Sequence, residues 1–86
     1  MAKYTKLPPI TGKKLIKLLQ KDGWIFHRRT RHGVALIKAI GGRTRTTIIQ
    51  DTRAIIPDGT LSDILGPKQT RIGKRGLLEL ANKYGI

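Results

Sequence analysis

The 86-residue sequence contains no cysteine, which excludes disulfide bonds and thiolate metal sites. It has only two histidines and five acidic residues, which argues against a metal site built from protein ligands alone. No apolar run approaches the roughly 20 residues that span a bilayer, and the opening residues MAKYTKLPPITG lack the apolar core of a signal peptide. We therefore expect a cytoplasmic, single-domain protein that uses no metal or cofactor. A chain this short has a small core, which favours a shallow surface site.

Acidic residues are scarce: the chain has 5 Asp and Glu against 18 Lys and Arg, which gives a formal net charge of +13. The segment between Gly23 and Gln50 has no acidic residue. Six cations lie in it: Arg28, Arg29, Arg31, Lys38, Arg43 and Arg45. Such an imbalance is typical of proteins that bind nucleic acid, an anionic membrane or an acidic protein. Membrane-surface helices carry their basic residues on the helix itself, whereas the densest basic segments here have strand-like patterns, so we expect nucleic acid and no membrane.

Helices are predicted at both ends of the chain. Residues 1–10 contain two prolines and little periodicity, which indicates a flexible arm. Thr11 is a predicted N-cap, followed by an apolar helical stripe that ends at Gly23. Thr60 is the predicted N-cap of a short helix, and a last helix is predicted from about residue 70 to residue 84.

The middle of the chain predicts three strands, over residues 24–29, 34–40 and 43–51, joined by short turns. Two successive hairpins give a three-stranded antiparallel meander. Helices packed on one face of this sheet make a two-layer α+β domain. The other face stays open and is expected to carry part of the basic set.

The stretch HRRTRHG, residues 27–33, holds both histidines and three arginines. RNA supplies its own nucleophile, the 2′-hydroxyl, so its cleavage needs proton transfer and positive charge but no metal. Histidine titrates near neutral pH, and arginine makes bidentate contacts with phosphate. We predict that His32 is the general acid or base, and that six cations contact phosphates: Arg28, Arg29, Arg31, Lys38, Arg43 and Arg45. The alternative is that His32 is only a surface histidine in a basic RNA-binding loop.

The alternation of side chains along the first strand also predicts the orientation of His27. If Trp24 and Phe26 face the core, His27 faces the open side together with Ile25 and Arg29. A partly buried structural histidine is the preferred interpretation, and a second proton-transfer group is the alternative. Trp24 is expected in the core rather than as a platform for stacking bases.

Three features resemble the HicA toxins, small ribonucleases of bacterial toxin–antitoxin pairs. LPPITGKKLIKLLQKDGW, residues 7–24, resembles the opening of that family, and IIPDGTLSDIL, residues 55–65, resembles its Gly-Thr-Leu helix start. His32 lies at the end of the first strand, where the family has its catalytic histidine. The resemblance implies a fold like that of double-stranded-RNA-binding domains (αβββα), metal-independent cleavage of mRNA, and inhibition by an acidic HicB-type antitoxin.

The chain departs from the family pattern in several ways, including a loop about one residue shorter before His32 and Val34, Ala35 and Leu36 where the family often has an aromatic residue. Thr30 and Arg31 precede His32, where the family has Gly-Ser or Gly-Gly. Asp51 lies near the position of a second family histidine.

Other functions remain open from the sequence. GKRG, residues 73–76, matches the GXXG loop of KH domains, but Glu79 interrupts the apolar spacing that follows that loop. We predict a helix start there instead. The competing hypotheses are a non-catalytic RNA-binding module of the same fold, and a small basic DNA-binding or ribosome-associated protein.

Overall fold

Residues 9–85 are described by the computed structural model, and they form a two-layer α+β domain. The elements in chain order are α1 (Gly12–Lys21), β1 (Ile25–Thr30), β2 (Gly33–Ile40), β3 (Arg43–Ile49), α2 (Asp58–Leu65) and α3 (Gly73–Tyr84). The strands form one antiparallel sheet in the order β1-β2-β3, so the predicted meander and fold class are confirmed. Within residues 9–85, no helix is long and apolar enough to cross a bilayer.

The start of α1 follows from local sequence. The Thr11 hydroxyl accepts a hydrogen bond from the backbone N–H of Lys14 at 3.2 Å, which confirms Thr11 as the N-cap. Ile10, one residue earlier, is only 1% exposed, and its carbonyl accepts a hydrogen bond from the N–H of Ile56. The predicted arm therefore does not extend to Ile10, and residues 1–8 of that prediction lie outside the described residues.

The core lies between the helices and one face of the sheet. Residues paired across antiparallel strands point to the same face, and the buried pair Leu36 and Thr47 marks the face that the helices cover. The larger side chains that fill this core are Ile10, Leu15, Ile16, Leu18, Leu19, Trp24, Val34, Leu36, Ile49, Leu61, Ile64, Leu65, Leu77 and Leu80. The main contacts of α1 and α2 with the sheet are made with β3, so β1 is the less covered edge strand.

The orientation predicted for β1 is wrong in part. Trp24 is buried as expected, but Phe26 is 49% exposed and His27 is exposed. The first reason is that β1 is an edge strand. The second is a β-bulge at His27, after which Arg28 pairs with Ala35 and Arg29 pairs with Val34. The extra residue reverses the alternation, so Arg29 lies on the face of the sheet that the helices cover.

Of the six predicted cations, only Arg28 lies in a cross-strand row of the open face. The rows of this face are Arg28–Ala35–Ile48, Ile25–Ile37–Thr46 and Ala39–Thr44. Lys38 pairs with Arg45, and this pair lies two residues from the buried pair Leu36 and Thr47, on the same face as the helices. Lys38 and Arg45 are therefore not part of the open face.

The second and third helices are confirmed, with a corrected start for α2. Thr60 is not its N-cap, because the helix begins at Asp58 after Pro57, whose carbonyl accepts a hydrogen bond from the N–H of Leu61. Between α2 and α3, Thr70 is buried and its hydroxyl donates to the carbonyl of Ile64 at 2.8 Å. This bond ties the connection to the end of α2.

Candidate active site

The turn between β1 and β2 holds His32 in an exposed position. The Thr30 hydroxyl donates a hydrogen bond to the carbonyl of Gly33 at 3.0 Å and accepts one from the N–H of His32 at 3.1 Å. These bonds fix a two-residue turn made of Arg31 and His32, both exposed. The imidazole is thus outside the core, at the tip of the hairpin.

Two glycines let this turn and the start of α1 close on the end of β3. Gly33 has φ of +138°, and a Cβ at this position would overlap the carbonyl oxygen of Ile49. A Cβ on Gly12 would overlap the carbonyl oxygen of Gln50 in the same way. His32 therefore lies where α1, the first hairpin and the connection from β3 to α2 meet.

Two grooves of different chemistry flank His32. The polar groove, of about 350 Å³, is lined by Arg29, Thr30, Arg31, His32, Gly33, Gln50, Asp51 and Thr52. The apolar groove, of about 520 Å³, is lined largely by aliphatic side chains, including Ile48, Ile55 and Ile64. His32, Gln50 and Thr52 line both grooves. A ligand that bridges the two grooves passes directly by the imidazole.

Asp51 organises the cations of the polar groove. Its carboxylate accepts hydrogen bonds from Lys13 Nζ at 3.0 Å and from Arg29 Nη2 at 3.1 Å. These two bonds, that from Lys13 first, lower the pKa of Asp51 below its ordinary value of 3.8. At neutral pH the carboxylate is ionised. It lies just after β3 and binds Lys13 of α1 and Arg29 of β1, so it links these elements. Its charge also offsets part of the positive charge of Arg29.

Arg28 and Arg31 are the cations best placed for a ligand. Arg31 precedes His32 in the turn, and Arg28 pairs with Ala35, two residues beyond Gly33. Both are exposed, and neither makes a side-chain hydrogen bond or ion pair within residues 9–85. Their guanidinium groups are therefore free to contact a phosphate at the His32 end of the sheet.

The other three predicted cations lie farther from His32. Lys38 Nζ donates to the carbonyl of Asp22 at 2.7 Å and to its carboxylate at 3.3 Å. Arg45 Nη1 donates to the carbonyl of Pro67 at 2.7 Å. Arg43 pairs with Ile40 at the opposite end of β2, roughly 23 Å along the strand from the His32 turn. The structure brings together His32, Arg28, Arg29 and Arg31, but not these three residues.

No protein-family model, curated protein or solved structure matches this chain. The chemistry of the site must therefore be inferred from its own side chains.

His32 is the residue of the two grooves best suited to transfer a proton at neutral pH. Histidine as a residue type titrates between about pH 5 and 8. Asp51 is a poor base because its two cationic partners stabilise the carboxylate. His27 is separated from the turn by three strand residues, which span roughly 10 Å. The arrangement favours chemistry that a single histidine and neighbouring arginines carry out.

Several residues of the site were missed by sequence reasoning. Ile48 and Ile55 are 41% and 55% exposed and line the apolar groove, and the sequence prediction gave neither a role. The ion pairs of Asp51 were missed as well. Strand alternation places Ile48 on the open face, so its exposure could have been predicted from the sequence. The approach of Ile55 to this end of the sheet depends on the path of the connection after β3, for which the sequence has no local signal.

Proposed function

We propose that this protein is a metal-independent ribonuclease that cleaves mRNA, with His32 as the general acid and base. The observation that supports it is the position of His32, exposed in a hydrogen-bonded turn between a polar and an apolar groove, beside arginines that have no side-chain partner within residues 9–85. The net charge of +13 favours a polyanionic substrate. No bound metal is needed, because arginines supply the positive charge that the reacting phosphate requires.

The reaction proceeds by attack of the ribose 2′-hydroxyl on the adjacent phosphorus. His32 in its neutral form accepts the hydroxyl proton as the bond from the 2′-oxygen to phosphorus forms. The bond from phosphorus to the 5′-oxygen breaks, and the imidazolium returns the proton to that leaving oxygen. The products are a 2′,3′-cyclic phosphate and a 5′-hydroxyl, so protons balance without a metal or cofactor. Arg31 and Arg28 stabilise the charge that builds on the phosphate.

Arg29 has a different role from the other two arginines. Its bond to Asp51 holds the guanidinium in the lining of the polar groove. A guanidinium has five N–H donors, so one bond to a carboxylate leaves others for a phosphate. Asp51 therefore acts as a positioning residue for Arg29 and Lys13.

The biological role that we propose is that of a toxin held in check by an acidic HicB-type antitoxin. The support is the sequence resemblance of residues 7–24 and 55–65 to the HicA toxins, together with the αβββα order of the first five elements. An acidic partner is complementary to the strongly basic chain. A small acidic protein encoded beside this one would strengthen the assignment.

The second candidate function is RNA binding without cleavage. The observation that favours it is that the described residues place no second histidine in the two grooves beside His32. A ribonuclease with one histidine must use it both as base and as acid, or take the second proton from water. The two functions share the same surface and differ only in chemistry.

The deciding experiment incubates a defined, end-labelled RNA with purified wild-type protein, His32→Gln and His27→Gln in the presence of EDTA. We expect wild type and His27→Gln to produce fragments with cyclic phosphate ends, and His32→Gln to be slower by roughly 10²–10⁴-fold. RNA binding by His32→Gln should remain within about threefold of wild type. Intact RNA with all three proteins would exclude the ribonuclease and leave the binding function.

A further inference from the structure

The apolar groove beside His32 is unexpected on so basic a chain. Most of its lining is aliphatic or proline side chains on or near β3 and α2, among them Ile48, Ala54, Ile55, Ile56, Pro57 and Ile64. Ile48 and Ile55 are large and half-exposed, which costs free energy in water unless a ligand covers them. Among the described residues that line this groove, His32 alone carries an ionisable side chain. A phosphate or a carboxylate is therefore poorly accommodated inside it.

The chemistry of the two grooves together restricts the occupant. The apolar groove takes an uncharged, largely apolar group, whereas the polar groove, which shares His32, Gln50 and Thr52, takes an anion between Arg29 and Arg31. One ligand that fills both must carry an apolar group within a few ångströms of a negative charge. A nucleotide does so, because its base is joined to its phosphate through one sugar.

We propose that the apolar groove is a subsite for one nucleobase of a single-stranded RNA, next to the phosphate that lies at His32. The proposal rests on the proposed function, since it takes the polar groove to hold a phosphate. The side chains of Gln50, Thr52 and Thr60 line the same groove and supply hydrogen-bond partners for the edge of the base. The aliphatic side chains cover its faces.

The subsite sets the form of RNA that binds productively. In an A-form duplex the bases are paired and stacked, and the major groove is too narrow and deep for side chains. A base enters the groove only from a single strand, from a loop, or after extrusion from the stack, which is unfavourable because pairing and stacking are lost. We therefore infer that the substrate is unpaired at the site that His32 contacts.

The ligand side of the test needs no variant of the protein. Three fluorescein-labelled strands of equal length are titrated with wild-type protein: a single-stranded 2′-O-methyl RNA, the same strand in a duplex, and a strand whose central nucleotides are abasic. Binding is measured because the 2′-O-methyl group removes the nucleophile. We expect the intact single strand to bind at least about fivefold more tightly than either other ligand. Equal affinity for the intact and abasic strands would overturn the subsite.

The protein side compares isoleucines at the two ends of the sheet. Ile48→Ala and Ile55→Ala together should weaken binding of the intact single strand by roughly 5- to 20-fold and of the abasic strand by less than about twofold. Ile40→Ala is the control, because Ile40 is similarly exposed, at 38%, but lies at the far end of β2. It should change neither affinity. Because both groove isoleucines are exposed, we expect the variants to fold, which thermal melting will check.

Each remaining outcome has a defined meaning. Equal losses for intact and abasic strands, or no loss for either, would contradict a base-binding groove. So would variants that keep RNA affinity but lose binding to an acidic protein partner, since the groove would then hold an apolar side chain of that partner. If base-dependent binding is present while no RNA is ever cleaved, the subsite stands and the proposed ribonuclease activity fails.

Discussion

Gly33 packs its Cα directly against the carbonyl group of Ile49, so closely that no larger residue fits without movement of the backbone. This contact joins the start of β2 to the end of β3, and His32 is the residue immediately before it. Backbone packing therefore sets the position of the turn that carries the imidazole. This turn holds His32 at the junction of the two grooves, and no side chain within residues 9–85 hydrogen-bonds to the ring.

Gly33→Ala should destabilise the protein and disturb the site together. A non-glycine residue at φ of +138° is strained by about 1–3 kcal/mol, and the overlap with Ile49 adds to that cost. We expect a fall in melting temperature of roughly 10 °C or more, measured by circular dichroism. Gly59→Ala is the control, because Gly59 lies in α2 with open space around it, and alanine there should stabilise by about 0.4–1 kcal/mol. Similar melting temperatures for wild type and Gly33→Ala would show that the turn relaxes freely.

The sequence predicted those parts of the fold that depend on neighbouring residues. Thr11 as a cap and the two tight turns follow from residue types within a few positions, so the element order was predicted correctly. The bulge at His27 was not, because no glycine or other local signal marks it. The exposure of Phe26 was not predicted either, because it depends on which strand forms the edge of the sheet and on where the helices pack.

The residues of the candidate site also fall into two groups, those predictable from local sequence and those that depend on tertiary packing. The place of His32 at the end of the first hairpin follows from the strand pattern, and Arg31 follows with it. The bond between Arg29 and Asp51 joins residues 22 positions apart and depends on the reversed alternation after the bulge. The apolar groove depends on how the connection after β3 returns towards α2. Tertiary packing of this kind has no signature in a single sequence.

Arginines at the two ends of the sheet should differ in their effect on RNA binding. Arg31 lies beside His32, whereas Arg43 lies at the far end of β2 and β3, and both are exposed. We expect Arg31→Gln to weaken binding and to reduce the slope of log affinity against log salt by about 0.7–0.9, as one lost phosphate contact should. Arg43→Gln should leave the slope nearly unchanged. Fluorescence anisotropy from 50 to 200 mM salt measures both, and equal effects would mean that RNA covers the full length of the sheet.

Asp51→Asn should be less stable than wild type at neutral pH, and the difference should disappear in acid. The folded-state pKa of Asp51 is below the ordinary value of 3.8, so the ionised carboxylate stabilises the fold at every pH above that value. The stabilisation disappears as pH falls through the lowered pKa. We expect the difference in melting temperature between wild type and Asp51→Asn to be constant from pH 7 to about 5 and to shrink below about pH 4.

Asp63→Asn is the matched control for that experiment, because Asp63 is exposed in α2 and makes no ion pair within residues 9–85. Its melting temperature should differ little from wild type at any of these pH values. A difference for Asp51→Asn that does not shrink at all below pH 4 would mean that lost packing, not lost charge, is responsible.

The pH dependence of cleavage should identify the histidine that transfers protons. If His32 must be neutral to accept the 2′-hydroxyl proton, kcat/KM rises with pH along a limb that depends on the His32 side chain. We expect His27→Gln to keep this limb unchanged, because His27 is exposed at the bulge and separated from the turn by three strand residues. The residual activity of His32→Gln should lack the limb. Single-turnover cleavage of one labelled RNA at half-unit pH intervals measures all three profiles. A limb that survives in His32→Gln would assign the proton transfer to another group and remove His32 from the chemistry.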